Sequence, residues 1–190
     1  MHMSDFARLC LIFSNTYLLI AIMILGLLTK KRQEVYWGIM CLCLSIMINY
    51  ALKVTFKVPL LFKVGYAFPS GHMQLVTFFY GWLALIGLFR MQYWVWFIGL
   101  AQAYGQIYFH YHNGLETFSG FAEGVLLLSI FYSLYFNQFK YLVLLLLSFA
   151  GLLLMYIFFR VGAVPNYVSF ACVAFVSLIL FYQRFKKFLS

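Results

Sequence analysis

Long apolar segments separated by short polar breaks run along the whole chain, and this pattern predicts helices that cross a membrane. A hydrocarbon core about 30 Å thick is crossed by roughly 20 predominantly apolar residues in an α-helix. Apolar runs of about this length occur at Phe6–Leu28, Tyr36–Phe56, Gly71–Phe89, Tyr93–Phe109, Thr117–Phe136, Tyr141–Phe159 and Tyr167–Phe185. Because these runs lack the period-2 alternation of a membrane β-strand, we predict an all-α integral membrane protein, a polytopic helical bundle of about six to seven transmembrane helices.

Composition favours the same class and excludes a soluble domain. Of the 190 residues, 66% are hydrophobic and only 9% are charged, and the mean hydropathy is +0.96. A soluble domain of this length needs far more polar surface. No repeat or linker stands out, so we predict a single transmembrane domain over residues 1–190. All four cysteines lie inside apolar runs; they are Cys10, Cys41, Cys43 and Cys172. We therefore interpret them as small buried hydrophobic residues, and not as members of a disulfide or a metal site.

The basic residues predict an orientation in the membrane. A net charge of +9 would suit nucleic acid, but the charges lie between apolar runs, so no nucleic-acid partner is predicted. In a seven-helix arrangement one side carries Lys30, Lys31, Arg32, Arg90, Lys140, Arg184, Lys186 and Lys187, and the other carries Arg8, Lys53, Lys57, Lys63 and Arg160. The richer side is predicted to be cytoplasmic. The segment around Ser70 then faces outward, into the periplasm if the host membrane is a bacterial inner membrane.

Ionisable side chains are scarce, and each one near the membrane is expected to mark function because it costs free energy in lipid. The chain has four acids and four histidines. Most of those away from the termini collect at the outer ends of the second to fifth predicted helices, together with three lysines; the group is Lys53, Lys57, Lys63, His72, His110, His112 and Glu116. This clustering is the first functional signal in the sequence.

The segment YAFPSGHMQLVTF, residues 66 to 78, begins with polar residues and continues as an apolar run. Pro69 closes a loop, Ser70 is a favourable N-cap, and Gly71 and His72 are predicted to open a helix. Exposed backbone N–H groups at such a start form an anion site, and histidine exchanges protons near neutral pH. The alternative is an ordinary capped helix start with a histidine at the membrane interface.

A second polar segment follows at residues 103 to 124. His112 and Glu116 are four residues apart and share a face if a helix begins near His112. Glu116 then accepts the proton of one ring nitrogen and leaves the other for nucleophilic attack. The alternative is an interfacial His–Glu pair without catalysis. Glu123 lies two turns deeper, where it supports the site, binds a lipid headgroup, or is protonated and hydrogen-bonded inside the bundle.

The third polar segment, residues 52 to 68, supplies cations. Lys53 and Lys57 are four residues apart and can face one anion together, with Lys63 further along the loop. For Lys57 and Lys63, snorkelling of the side chain toward water at a helix end is the favoured alternative.

Together the three segments resemble the type 2 phosphatidic acid phosphatase superfamily of membrane lipid phosphatases, over roughly residues 50 to 125. The family motifs are a lysine, six residues and Arg-Pro; then Pro-Ser-Gly-His; then Ser-Arg, five residues, His, three residues and Asp. Lys53 matches the first lysine and Pro69-Ser70-Gly71-His72 matches the second motif in full. His112 and Glu116 match the end of the third motif, with Glu in place of Asp.

Two departures concern the residues that would clasp the phosphate. The Arg-Pro position of the first motif reads Leu60-Leu61, and the Ser-Arg position of the third reads Gly105-Gln106. Fixed cations around a transferring phosphoryl group are a large catalytic term, and each absent arginine is expected to cost several kcal/mol. Lysines compensate only in part, because they lack the planar fork of arginine.

The resemblance implies a membrane phosphatase or phosphotransferase that acts on a lipid phosphate, a lipid pyrophosphate or a phospholipid headgroup. His112 would attack phosphorus, Glu116 would orient His112, and His72 would protonate the leaving oxygen. Lys53, Ser70 and Gly71 would hold the phosphate, with Lys57 and Gln106 as further substrate-binding candidates. The family mechanism requires no metal and no cofactor; its partners would be the lipid substrate and the bilayer.

Two other functions stay open from the sequence. A catalytically impaired relative that binds lipid or serves as an accessory membrane protein would explain the absent arginines. A metal hydrolase would use His72, His110, His112 and Glu116, although His110 and His112 are two residues apart and diverge on a regular helix.

Overall fold

The computed structural model describes residues 3–60, 65–88 and 91–137, together with the separate positions 143, 146–147, 150–151 and 153. Every regular element among these residues is helical. The helices are α1 (Met3–Cys10), α2 (Thr16–Leu27), α3 (Arg32–Phe56), α4 (Gly71–Leu85), α5 (Val95–Tyr108) and α6 (Gly114–Tyr135), with short 3₁₀ segments at Leu11–Ser14 and Met91–Tyr93. The predicted run Tyr167–Phe185 and most of Tyr141–Phe159 lie outside the described residues, as do Lys63, Arg160 and Cys172.

The first predicted helix is not continuous, which corrects the single run at Phe6–Leu28. The chain breaks at Asn15, and the segments Met3–Ser14 and Thr16–Leu27 are bent by 44° relative to each other. The Asn15 side chain accepts hydrogen bonds from the backbone N–H groups of Tyr17 (2.9 Å) and Leu18 (3.3 Å). An asparagine that caps the next helix in this way competes with continuation of the preceding one.

Two of the described helices, α3 and α6, are long and apolar enough to cross a membrane, and the bent α1–α2 pair is a third candidate if it counts as one span. By contrast, α4 has 15 residues and α5 has 14, fewer than the roughly 20 that a perpendicular span needs. The described part of the chain is therefore an all-α protein with helices suited to a membrane. The bundle of six to seven spans stays a prediction.

Helix α4 occupies the centre and packs against α3, α5 and α6. Its closest neighbour is α6, because small residues let the two backbones approach each other. A side chain at Gly120 would meet the Ser70 carbonyl oxygen, and one at Gly124 would meet Thr77 at 2.7 Å. Small residues are the usual means of close helix packing in membranes, where the hydrophobic effect does not drive association.

Further along α4, away from its N-terminus, the core is aromatic. Phe78 stacks with Trp82 and meets Phe131 of α6 edge-on, with centroids 6.3 and 5.9 Å apart. The Trp82 indole N–H donates to the Glu34 carbonyl oxygen at 3.0 Å, so this end of α4 is hydrogen-bonded to the first turn of α3. Offset aromatic pairs of this kind add to the energy of burial. This core holds α3, α4 and α6 together as the frame for the polar residues at the N-terminal end of α4.

We expect Gly120→Ala to destabilise the protein, whereas Gly114→Ala has little effect or stabilises it. A β-carbon at Gly120 meets the Ser70 carbonyl and the Met73 β-carbon (3.2 Å), whereas a β-carbon at Gly114 meets nothing within 4 Å. Overpacking of this kind costs about 1–3 kcal/mol, while alanine is otherwise the better helix former. Thermal unfolding of both variants in the same detergent measures the difference. Equal melting temperatures would show that α4 and α6 do not need this close approach.

Candidate active site

The start of α4 is bonded to two other helices through Ser70. As predicted, α4 begins at Gly71 with Ser70 as N-cap, and the Ser70 hydroxyl accepts from the Met73 N–H at 3.4 Å. The same hydroxyl donates to Gln106 Oε1 at 2.6 Å. The Ser70 N–H donates to the Glu116 carbonyl oxygen at 3.1 Å. Ser70 is fully buried, so its polar groups are used to position the helix start.

His112 and Glu116 form the predicted pair, although α6 begins at Gly114, just after the histidine. The His112 Nδ1 atom lies 3.1 Å from Glu116 Oε2, and both side chains are buried. Asn113, the N-cap of α6, makes a capping box with Glu116 and donates to its carboxylate through its backbone N–H (3.0 Å) and its side-chain amide (3.1 Å). An ionised carboxylate has no proton to donate and can only accept hydrogen bonds. The Nδ1 atom of His112 therefore carries the proton, and its Nε2 atom has a free lone pair.

Burial also affects the charge state of His112. Loss of hydration lowers the pKa of His112 below its ordinary value of 6.5, the Lys53 charge lowers it further, and Glu116 opposes both effects. A lowered pKa keeps the imidazole neutral at physiological pH. Neutral imidazole is the form in which histidine acts as a nucleophile or base.

One cavity of about 560 Å³ brings the two histidine segments together. His72 and His112 both line it, and so do Gly71 at the start of α4 and Lys53 near the end of α3. His72 is exposed while His112 is buried. The cavity therefore places one histidine that contacts water beside a second that is largely desolvated.

Lys53 and Lys57, the two lysines of the third polar segment that the structure describes, occupy different environments. Lys53 Nζ donates to the Tyr66 carbonyl (2.8 Å) and the Ala67 carbonyl (3.3 Å), which holds the loop before Pro69 against α3. An ammonium has three N–H groups, so one remains for a ligand in the cavity. Lys57 ends α3 in the left-handed conformation (φ 53°), is exposed and does not line the cavity. Of the two lysines only Lys53 therefore lines the cavity, and their pairing on one anion stays a prediction.

Gln106, a candidate for substrate binding, is instead buried and does not line the cavity. Its side-chain oxygen accepts from Ser70, and its backbone carbonyl accepts from the N–H groups of Tyr111 (3.0 Å) and His112 (3.5 Å). It contacts both histidine-bearing segments without lining the cavity. Its role in the structure is therefore to position those segments, and its Nε2 atom has no hydrogen-bond partner among the described residues.

The cavity is also lined by two amide side chains that the sequence did not single out, Asn49 and Gln74. Asn49 Nδ2 donates to Glu123 Oε2 at 2.6 Å, and Asn49 Oδ1 lies against Gly71. Of the three interpretations of Glu123, hydrogen bonding inside the bundle is the one that matches. Asn49 precedes Lys53 by one helical turn, and this i, i+4 spacing of polar residues inside an apolar run is the signal that would have found it.

The four residues of the metal hypothesis do not form a metal-binding group in the described part of the chain. His110 is exposed and adopts a positive φ of 54° in the turn after α5. Across residues 3–60, 65–88 and 91–137, no three histidine, cysteine or acidic side chains lie close enough together to hold a metal ion.

We expect His112 in the folded chain to titrate below 6.5. Histidine ring NMR, assigned with the His112→Ala variant, measures this pKa. Between the folded value and 6.5 the unfolded chain binds a proton that the folded chain does not, so the free energy of unfolding falls as pH drops through that interval. A folded-state pKa at or above 6.5 would contradict the desolvated position of His112.

Comparison of the chain with family models, curated proteins and solved structures returned no match.

Proposed function

We propose that the protein is a membrane phosphatase or phosphotransferase that acts on a lipid phosphate, a lipid pyrophosphate or a phospholipid headgroup. One observation carries the proposal: the Glu116-bound His112 and the exposed His72 line the same cavity as Lys53. A fixed nucleophile, a second proton carrier and a cation are the groups that phosphoryl transfer through a histidine needs.

In the proposed reaction, His112 Nε2 attacks phosphorus and the bond from phosphorus to the leaving oxygen breaks. Protonated His72 gives its proton to that oxygen. Glu116 holds the Nδ1–H and stabilises the positive charge that develops on the ring. Water then attacks the phosphohistidine, neutral His72 accepts a proton from the water, and His112 is restored; in a transferase an acceptor alcohol takes the place of water.

Lys53 and the N-terminus of α4 are the proposed phosphate-binding groups. Lys53 retains an N–H beyond its two carbonyl partners. The first N–H groups of a helix attract anions. Among the described residues no arginine lines the cavity, so the charge that balances the phosphate is smaller than in the family that the motifs resemble.

For the location we propose a bacterial inner membrane, with the cavity at the periplasmic face. The eight-to-five distribution of basic residues supports this orientation.

A specific observation favours a second candidate, a lipid-binding or accessory protein without catalysis. Gln106 stands at an arginine position of the family and is hydrogen-bonded to Ser70, away from the cavity. A chain that has replaced a phosphate-clasping arginine with a structural amide can keep the fold and lose the reaction.

We expect His112→Ala to abolish release of phosphate from lipid phosphates, because no other group replaces the nucleophile. Glu116→Gln keeps the shape but loses the negative charge that stabilises the ring, so turnover falls while the protein stays folded. Phosphate release from a panel of lipid phosphates and pyrophosphates in mixed micelles measures both variants. Full activity of His112→Ala would refute the mechanism, and an inactive wild-type chain that still binds lipid would favour the second candidate.

The two lysines near the end of α3 give a matched comparison of phosphate binding. We expect Lys53→Met to lower kcat/KM by about 10²-fold, the usual cost of removing one group that stabilises transition-state charge. Lys57→Met, four residues away and outside the cavity, should leave it within about twofold, as expected for an exposed charge. Equal losses in the two variants would mean that Lys53 acts only through general surface charge.

A further inference from the structure

The cavity extends from the histidines along α3. On this helix its wall follows Lys53, Asn49, Ile46 and Leu42, which share one face because they are spaced by three or four residues. At 1.5 Å per residue the stripe is about 16 Å long. It is polar near the histidines and apolar at the other end.

Helix α2 contributes a second stripe of lining residues, which is also polar at one end and apolar at the other. Thr16, Leu19 and Met23 line the cavity at a spacing of three and four residues. Because a short connection joins α2 to α3, the two helices run antiparallel. Thr16 therefore lies toward the Lys53 end, and Met23 lies toward Leu42.

We propose that the cavity is an amphiphile site in which the phosphate lies at His112 and one acyl chain lies between α2 and α3. Met23 and Leu42, at the end away from the histidines, then limit the chain length that is accepted. The volume of about 560 Å³ is within the usual range of about 300–1,000 Å³ for ligand sites. The placement of the phosphate rests on the proposed function. The acyl slot, which is the part of the cavity between α2 and α3, rests on the stripes of lining residues on these two helices.

Steric exclusion is the measurable property of such a slot. Lipid tails are as apolar as leucine, so transfer of a chain from the bilayer into the slot changes its hydration little. A side chain that fills the far end, however, excludes long chains and leaves short ones unaffected. The ratio of variant to wild-type activity at each chain length is therefore the informative quantity.

The experiment compares neighbouring residues of α2, Met23 inside the slot and Ile24 facing outward at 54% exposure. The full chain is assayed on octanoyl, lauroyl and palmitoyl lysophosphatidate in mixed micelles. We expect Met23→Trp to lower kcat/KM about tenfold on the palmitoyl lipid, the scale of an overpacked contact, with no change on the octanoyl lipid. Ile24→Trp should match wild type on all three. A Met23→Trp effect that is absent, or equal at every chain length, would overturn the slot.

A second variant guards against misfolding: if Met23→Trp does not fold, Ile46→Phe narrows the slot from the α3 side with the same expected dependence on chain length.

A further measurement needs no turnover. His112→Ala is irradiated with palmitoyl lysophosphatidate that carries a diazirine at the chain terminus, and the labelled residues are mapped by mass spectrometry.

Label on Met23 or Leu42 supports the slot, and label confined to outward-facing residues such as Ile24 overturns it. If the wild-type chain turns over no lipid but the label lies in the slot, the proposed function fails while the amphiphile site stands. If lipid is turned over but the label lies outside, the proposed function stands and the slot fails.

Discussion

The hydrogen bonds of one buried serine hold the polar end of the structure together. The Ser70 N–H donates to the Glu116 carbonyl, its hydroxyl donates to Gln106, the same hydroxyl accepts from Met73, and its carbonyl accepts from the Gln74 N–H. A buried polar group without a partner is costly, so each of these bonds restrains the element at its other end. Through them the start of α4 is set against α5 and α6. The close approach of α4 to Gly120 on α6 makes this geometry possible.

These contacts determine the position of the two histidines relative to each other. His72 belongs to the turn that Ser70 opens, and the backbone N–H of His112 bonds to the carbonyl of Gln106, whose side chain bonds to Ser70. Glu116 then orients the His112 ring through a carboxylate that Asn113 already holds. A site built in this way is preorganised, because the groups that hold the histidines are themselves fixed. The same bonds explain why an amide at position 106 is compatible with the fold, because its oxygen accepts a hydrogen bond from Ser70 and the residue does not line the cavity.

The polar end continues into an apolar cavity because two helices present matching faces to it. The break at Asn15 separates α1 from α2 and tilts α2 relative to α1. The α2 stripe from Thr16 to Met23 and the stripe of α3 line the same cavity. At the polar end of this space the buried Asn49 side chain donates to Glu123, which offsets the cost of desolvating the two groups. A change of polarity along one cavity is the physical basis for expecting an amphiphile there.

Local patterns in the sequence determined the helical class, the start of α4 at Gly71 with Ser70 as its cap, and the contact of His112 with Glu116 at four residues' spacing. These depend on periodicity, capping chemistry and short-range geometry, all of which the sequence carries. Only the tertiary structure decided that Lys53 lines the cavity while Lys57 does not, that Gln106 bonds to Ser70, and that Asn49 and Gln74 line the cavity. Those outcomes depend on which helix faces meet and how closely glycines let them approach. That information is spread over residues far apart in the chain, so no local pattern reveals it.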